Sequence, residues 1–358
     1  MKQTHAVIMA GGFGSRFWPR SRKSIPKQFL QLIGNETLIQ SSQSRIRHLL
    51  PVDRIWVVAS RSHRDLLLQQ LPDLPVENII FEPTARNTAP CIGLAALHIY
   101  HRDPEAVMVV MPSDHLISDC KKFTRLLQQA VGLVHENRQA LVTLGIQPSY
   151  PATGYGYIQR GEKLDNRCDN AFRVRAFAEK PNAEVARQFY HSGEFLWNSG
   201  IFTWYAETIL NYIAELMPDL YAGLLEIRQS LDSGQKDQVV EQVYNRLNGQ
   251  SIDYGVMENA SQVLVVEGDF GWSDLGGWEE TYNLSAKDEN NNAGSATLIA
   301  KDSHGNLIEA EKLVALIGVE DLVVVDTPDI LLICNRSRAQ EVKWVVEKLR
   351  HEKSEKYL

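Results

Sequence analysis

The sequence predicts an α/β protein: a mostly parallel sheet with helices on both faces, then a small β unit and a closing helix. Three observations carry that prediction. Over the first 145 residues, short β-rich runs alternate with segments of helical pattern. The runs are almost continuously apolar, as strands covered on both faces must be. Beyond residue 150 the texture changes, and it changes again near the polar stretch SAKDENNNAGSA (285–296).

The strand candidates are HAVIMA (5–10), RIWVVAS (54–60), VENIIF (76–81), AVMVVM (106–111) and ALVTLG (140–145). Helices are expected between them at about 37–49, 62–71, 88–101 and 121–136. Sheets of this kind bind ligands beyond the carboxyl ends of their strands. The loops after residues 10, 81 and 111 are therefore expected at one site. Next, TGYGYIQRG and NAFRVRAFAEKP read as antiparallel strands, followed by helices at about 182–192, 205–216, 218–231 and 236–247. The tail holds ATLIA, LVALIG, LVVVDT and ILLIC before a helix at about 337–351. Stacked coils of a left-handed β-helix fit this tail, although no clean six-residue repeat is visible. The expected division is a main domain over 1–284 and a small C-terminal β domain over 285–358.

The 358 residues carry a net charge of -7, with 44% hydrophobic and 23% charged side chains. That acidic balance argues against a general nucleic-acid or membrane binder, whose footprint is a basic surface. The four cysteines, Cys91, Cys120, Cys168 and Cys334, lie far apart and without metal-type spacing, which points to a reducing compartment. The N-terminus enters a strand at once, with no apolar region of a signal peptide. No run approaches the roughly 18 apolar residues of a membrane span. These features together point to the cytoplasm.

Against the acidic background stands AGGFGSRFWPRSRKSIPKQF (10–29), with three glycines and five cations at the end of the first strand. A dinucleotide fingerprint requires a third glycine at 17, where Phe17 stands, and a P-loop requires a Gly-Lys pair that is missing. There remains a loop whose amides and cations converge on the phosphates of a small polyanion, since glycine lets the backbone approach closely. A tight turn followed by a solvated basic face is the competing reading.

This loop, A-G-G-x-G-[ST]-R-x-x-P followed by P-K-Q, resembles the signature of the sugar-1-phosphate nucleotidyltransferases. The longer GSRFWPRSRKSIPKQFL is similar to their mannose-1-phosphate guanylyltransferase branch. The resemblance continues in order through EPTARNTAPCIGLAA (82–96), PSDHLI (112–117), TGYGYI (153–158), EKP (179–181), WNSGIF (197–202), SIDYGVME (251–258) and FGWSDLGGW (270–278). The tail through CNRSRAQEV is also similar. Any one motif is modest evidence, whereas eight in register are strong.

The resemblance implies a Rossmann-like, GT-A-like mixed sheet. It also implies a magnesium-assisted reaction of GTP with α-D-mannose 1-phosphate, giving GDP-mannose and diphosphate. A sugar-phosphate oxygen is already an anion near neutral pH, so the reaction needs positioned charges more than a general base. For the nucleotide phosphates it implies Ala10, Gly11, Gly12, Gly14, Ser15, Arg16, Lys27 and Ser113. Arg16, Lys27, Asp114 and Asp274 are implied as catalytic, with Asp114 and Asp274 holding magnesium. Taken singly, an Asp after a strand is more often a cap or turn residue than a ligand.

Gly154, Glu179, Lys180, Asn198 and Asp253 are implied for the sugar phosphate, with Gly156 and Glu258 beside them. A structural role competes at Asp253 and Glu258. Glu82, Arg86, Asn87 and Thr88 supply donors and acceptors of the kinds guanine needs, with helix capping by Asn87 or Thr88 as the competitor. A homodimer through the C-terminal domain is a further implication. The helix AQEVKWVVEKL, with Val342, Val345, Val346 and Leu349 on one face, fits docking to its own chain equally well.

Phe13, Phe17 and Arg20 stand where many members of the family carry smaller or different residues, and Asn259 where lysine is frequent. These departures bear on the sugar site more than on the reaction class. With no room before residue 358 for the cupin-type isomerase domain of longer members, a single activity is expected. Three other readings compete. A guanylyltransferase for another sugar 1-phosphate, such as a manno-heptose, keeps the mechanism. A non-catalytic sugar-nucleotide-binding regulatory subunit has no evident need of a metal pair. A dinucleotide-dependent oxidoreductase fails on the glycine count.

Overall fold

A computed structural model describes residues 1, 3–12, 14–164 and 168–358, so Phe13 lies outside the described residues. The chain packs as two units, each drawn from separated segments. The larger comprises Met1–Gly11, Ser42–Ser113 and Ile117–Trp272; the smaller comprises Gly12–Ser41, Asp114–Leu116 and Ser273–Leu358.

The larger unit is built on nine strands: β1 (Thr4–Ala10), β2 (Ile55–Ser60), β3 (Ile79–Glu82), β4 (Val107–Pro112), β5 (Leu141–Ile146), β6 (Tyr157–Lys163), β7 (Ala171–Ala178), β8 (Phe195–Tyr205) and β9 (Val263–Glu267). Their order across the sheet is β3-β2-β1-β4-β8-β5-β9-β7-β6. β1 lies parallel to β2 and β4, and β2 parallel to β3. β8 runs antiparallel between β4 and β5, which makes the sheet mixed. Every residue of β1 is buried, which explains its unbroken apolar sequence.

The helices α1 (Leu38–Arg47), α2 (Arg64–Gln70), α3 (Thr88–Arg102), α4 (Cys120–Glu136), α5 (Ala183–Ser192), α6 (Ala206–Leu216), α7 (Pro218–Ser230) and α8 (Lys236–Arg246) fall where the apolar periodicity predicts them. The third strand begins later than expected, because Val76–Asn78 forms a 3-10 turn after Pro75. Gly93 lets α3 pack closely, since a Cβ there would meet Leu224 Cδ1 at 2.8 Å.

The smaller unit departs from the division at 284/285. Its core gathers Phe17, Trp18 and Leu30 from the opening loop with Leu275 and Trp278, then Val323, Val325, Val342 and Val346 from the tail. The tail has a small cluster of its own around Ile308, Leu316 and Val324, while its larger core is completed by the bulky aromatics of the loop. Here α9 (Trp278–Leu284) precedes the short strands β10 (Ala293–Gly294), β11 (Leu298–Lys301), β12 (Leu307–Glu309), β13 (Val314–Ile317), β14 (Leu322–Asp326) and β15 (Leu331–Asn335), and α10 (Val342–His351) follows. β10, β12 and β14 stack in parallel, as do β11 and β13, in the manner of coils. β15 then turns back antiparallel on β14. Val342 and Val346 are 3% and 5% exposed, so α10 docks on its own chain.

The departures Phe17 and Arg20 belong to this packing. Phe17 meets the Trp278 ring edge-on at 5.2 Å between centroids, and Arg20 Nη1 donates to Glu309 Oε2 at 2.8 Å. Among the described residues no helix is long and apolar enough to cross a membrane.

Candidate active site

In the smaller unit, Gly14 adopts a left-handed conformation (φ 62°) and opens a 3-10 turn over Ser15–Phe17. The same glycine makes room for Lys27, because a Cβ would stand 2.3 Å from Lys27 Cβ. Lys27 is 6% exposed. Its ammonium donates to Asp114 Oδ2 at 2.9 Å and to the Asp274 carbonyl at 2.6 Å. One buried cation thus ties together the opening loop, the loop after β4 and the Ser273–Gly277 turn.

That turn is rigidly held. Ser273 Oγ donates to Glu280 Oε1 at 2.7 Å and accepts from the Leu275 amide at 2.9 Å. Leu275, fully buried, takes a positive φ of 46°, a conformation that non-glycine residues keep only where the surroundings enforce it. Trp278 Nε1 donates to the Trp18 carbonyl at 3.1 Å and locks the turn to the opening loop.

Gly14, Lys27, Asp114, Asp274 and Leu275 are among the residues that line a cleft of about 290 Å³. Arg16, Lys27 and Lys343 bring cations to it, and Asp114 and Asp274 bring carboxylates. Arg16 Nε is buried without a hydrogen-bond partner. Burial alone would raise the Asp114 carboxyl, but the Lys27 ammonium, His115 and the hydrogen bond from Lys27 hold it below the usual carboxylate range. Among the described residues no three His, Cys, Asp or Glu side chains are gathered as for a metal ion. Two carboxylates on a partly open cleft nevertheless suit magnesium, which takes few protein ligands and completes its shell with phosphates and water.

The basic run is thereby divided. Arg16 and Lys27 face the cleft, whereas Arg20, Arg22 and Lys23 pair with Glu309, Asp329 and Glu355 of the tail. The whole run was expected as a polyanion site, and the structure corrects this for three of its five cations. Their charge is spent on carboxylates within the same unit.

Apart from Gly12, which opens the smaller unit's first segment, the larger unit holds the remaining candidates. Ala10 ends β1, Gly11 follows, and a Cβ on Gly11 would meet nothing within 4 Å. The same holds at Gly12, whose φ of +91° favours glycine, and at Gly154. Ser113 is fully buried, with its amide donating to the Met9 carbonyl at 3.0 Å and its Oγ unpartnered.

On β8, a shift of register opposite Thr143–Gly145 marks the bulge that re-aims Asn198. Asn198 Nδ2 donates to Asp253 Oδ1 at 2.8 Å, and its Oδ1 accepts from the Gly200 amide at 3.2 Å. Glu179 lies close by: a Cβ on Gly156 would stand 2.5 Å from Glu179 Oε2 and 3.5 Å from Asn198 Cβ. Lys180, with a positive φ of 45°, pairs with Glu179. Burial first, and then the Glu179 carboxylate, push Asp253 up to about 6; the same two causes raise Glu258. Asp253 opens a π-helical turn, Asp253–Met257, a local irregularity frequent at functional sites. Asn259, another departure, supports that turn by donating to the Tyr254 carbonyl at 3.1 Å. Glu179, Asn198 and Asp253 are thus brought together, with Lys180 at their edge.

The residues expected at the base each have a polar group engaged inside the protein. Glu82 is 6% exposed and accepts from the Tyr244 hydroxyl at 3.1 Å. Burial pushes its carboxyl up to about 7, opposed by that hydrogen bond. Arg86 donates to the carbonyls of Tyr244 and Asn245 near the end of α8. Asn87 accepts from the Thr88 amide and caps α3, and Thr88 Oγ1 accepts from the Ile252 amide. For Glu82, Arg86 and Asn87 the structure favours a framework role, set by the burial of Glu82 and by hydrogen bonds made within the protein. Two titratable residues of the cleft were missed by sequence reasoning. His115 directly follows Asp114 in PSDH and was recoverable from that neighbour; Lys343 lies on the terminal helix, where nothing local announces it.

Comparison with known proteins agrees with this geometry. A model of the nucleotidyl transferase family matches residues 5–291, and one of the MannoseP isomerase/GMP-like β-helix domain matches residues 297–349. The mannose-1-phosphate guanylyltransferase of Salmonella montevideo is 40% identical over 98% of this chain and 75% of its own. That of Escherichia coli (strain K12) is 39% identical over 97% of this chain and 73% of its own. A solved structure described as a mannose-1-phosphate geranyltransferase from Thermus thermophilus superposes with a TM-score of 0.87 at 30% identity, covering 97% of this chain and 99% of that one. One of a mannose-6-phosphate isomerase from Helicobacter pylori superposes with a TM-score of 0.62 at 27% identity, covering 76% and 99%. With a family model over most of its length and relatives of such identity over nearly all of it, this chain belongs to the nucleotidyl transferase family.

Proposed function

We propose that this protein is a mannose-1-phosphate guanylyltransferase, which converts GTP and α-D-mannose 1-phosphate to GDP-mannose and diphosphate. The observation that carries this reading is the buried Lys27, bonded at once to Asp114 and to the Asp274 backbone in a cleft with Arg16. Relatives about 40% identical bear the name of that activity.

The nucleophile is the sugar phosphate itself, so this chain's task is to hold two anions together and to offset charge at the α-phosphorus and on the leaving group. Arg16 and Lys27 bind and orient the nucleotide phosphates. Asp114 and Asp274 would hold magnesium, which when bound supplies Lewis-acid stabilisation of the phosphate charge. Glu179, Asn198 and Asp253 offer acceptors and an amide to sugar hydroxyls, and Lys180 offers a point charge to the incoming phosphate. We further propose a cytoplasmic homodimer. The cysteines are free, and Ile299, Ile317, Leu331 and Ile333 leave apolar surface exposed on the tail.

Diphosphate release measured for each of the four nucleoside triphosphates with mannose, glucose and manno-heptose 1-phosphates tests the reading. Release with GTP and mannose 1-phosphate alone supports it. Release with GTP and only another sugar moves the substrate and keeps the mechanism. Silence throughout favours a binding subunit.

A further inference from the structure

We infer that Lys343, on the terminal helix α10, is a phosphate-binding residue of the same cleft and takes the diphosphate end of the nucleotide. This rests on the reading of the cleft as a triphosphate site. Lys343 lines the cleft together with Arg16 and Lys27, although more than 300 residues separate it from them in sequence.

Its placement is built into the helix. Val342 and Val346, on either side of it, are 3% and 5% exposed in the core of the smaller unit, while Trp344 is 62% exposed. The buried pair fixes the rotation of α10, and with it the direction in which position 343 points. One turn earlier, Gln340 reaches the site loop: its Nε2 lies 3.4 Å from the Gly276 carbonyl, and a Cβ on Gly277 would approach it to 3.2 Å.

The charge of Lys343 is uncommitted. Some other cations of the tail find carboxylates: Lys312 meets Asp326 at 2.9 Å, Arg338 meets Glu341 at 2.5 Å and Lys348 meets Glu352 at 3.9 Å. Among the described residues Lys343 forms no ion pair, although Glu347 stands one turn along the same helix. Lys27, by contrast, already serves Asp114 and the Asp274 carbonyl and has one ammonium hydrogen left for a ligand. A departing diphosphate gathers negative charge, and an exposed lysine on a flexible stem can follow it.

The test is direct binding of inorganic diphosphate with magnesium, measured by calorimetry on the full chain. The variants are Lys343→Ala, Lys343→Arg and, as a control on the same helix, Lys348→Ala. We expect Lys343→Ala to weaken diphosphate binding roughly 5- to 20-fold, as for loss of one charge-assisted contact. Lys343→Arg should restore most of it, Lys348→Ala should leave it unchanged, and all three should melt with the wild type. In turnover, Lys343→Ala should raise KM for GTP and leave KM for mannose 1-phosphate in place. If the wild type binds diphosphate and Lys343→Ala binds it equally well, the inference is overturned while the cleft assignment stands. If the wild type binds none, the cleft assignment falls and the inference with it.

Discussion

At the scale of single residues, the cleft depends on a few charges, with the Lys27 ammonium held between the Asp114 carboxylate and the Asp274 carbonyl. Asp114→Asn and Asp274→Asn are each expected to lower turnover by about 100-fold or more with the fold intact, since both remove charge where phosphates are held. Near-normal magnesium-dependent turnover in both variants would refute the metal assignment. Glu82 gives a separate prediction about pH. Its folded value of about 7 lies above its ordinary 4.5, so between those values the folded protein keeps a proton that the unfolded chain has lost. Stability from this group therefore falls as pH rises through that window, by about 3 kcal/mol at most. Glu82→Gln should flatten the slope and melt higher than wild type above pH 7; an unchanged melting profile from pH 5 to 8 would contradict it. Asp114, Asp274 and Lys27 were legible in sequence only through the motifs that resemble the family's, PSDH, GWSDLGG and PKQ, since an Asp after a strand taken singly reads as a cap or turn residue. The division of the basic run was not. Arg16 and Arg20 look alike along the chain, and only Glu309, nearly 300 residues away, distinguishes them.

At the scale of elements, two glycines control how loops and strands present their side chains. Gly14→Ala places a Cβ 2.3 Å from Lys27 Cβ at a φ of +62°. The backbone alone costs about 1–2 kcal/mol, and displacement of Lys27 should raise KM for GTP. Gly156→Ala places a Cβ 2.5 Å from Glu179 Oε2. It should raise KM for mannose 1-phosphate roughly tenfold while sparing KM for GTP. Equal effects of Gly156→Ala on both substrates would argue against the sugar assignment. Most helices and strands of the larger unit were legible, since their apolar periods match their burial. The tail was less so. Its coils pair Ala293 with Leu307 and Leu307 with Val323, spacings of 14 and 16 residues, and neither is a multiple of six. β12 is only three residues long, too short for any periodic signal.

At the scale of the whole molecule, the chain is divided by packing and not by sequence order. The opening loop joins the smaller unit because Phe17 and Trp18 complete its core, and salt links fasten it there. Arg20→Ala leaves the Glu309 side chain, 8% exposed, without its cation. The expected loss is on the order of 3 kcal/mol, and adding Glu309→Gln should recover part of it by removing the unpaired charge. Urea unfolding of the single and double variants checks this, and equal stabilities of the two would contradict it. No local pattern announced this arrangement, because it depends on contacts between residues 14–30 and residues 273–358 that only the folded chain makes.

The measurement that bears most directly on the central claim is product identification. The purified protein would be incubated with GTP, mannose 1-phosphate and magnesium, and the nucleotide products separated and weighed by mass spectrometry. The account predicts GDP-mannose and diphosphate in equal amounts, abolished by omitting either substrate. Unchanged GTP, in a preparation shown to bind it, would contradict the proposed function and leave a protein that holds the nucleotide without transferring it.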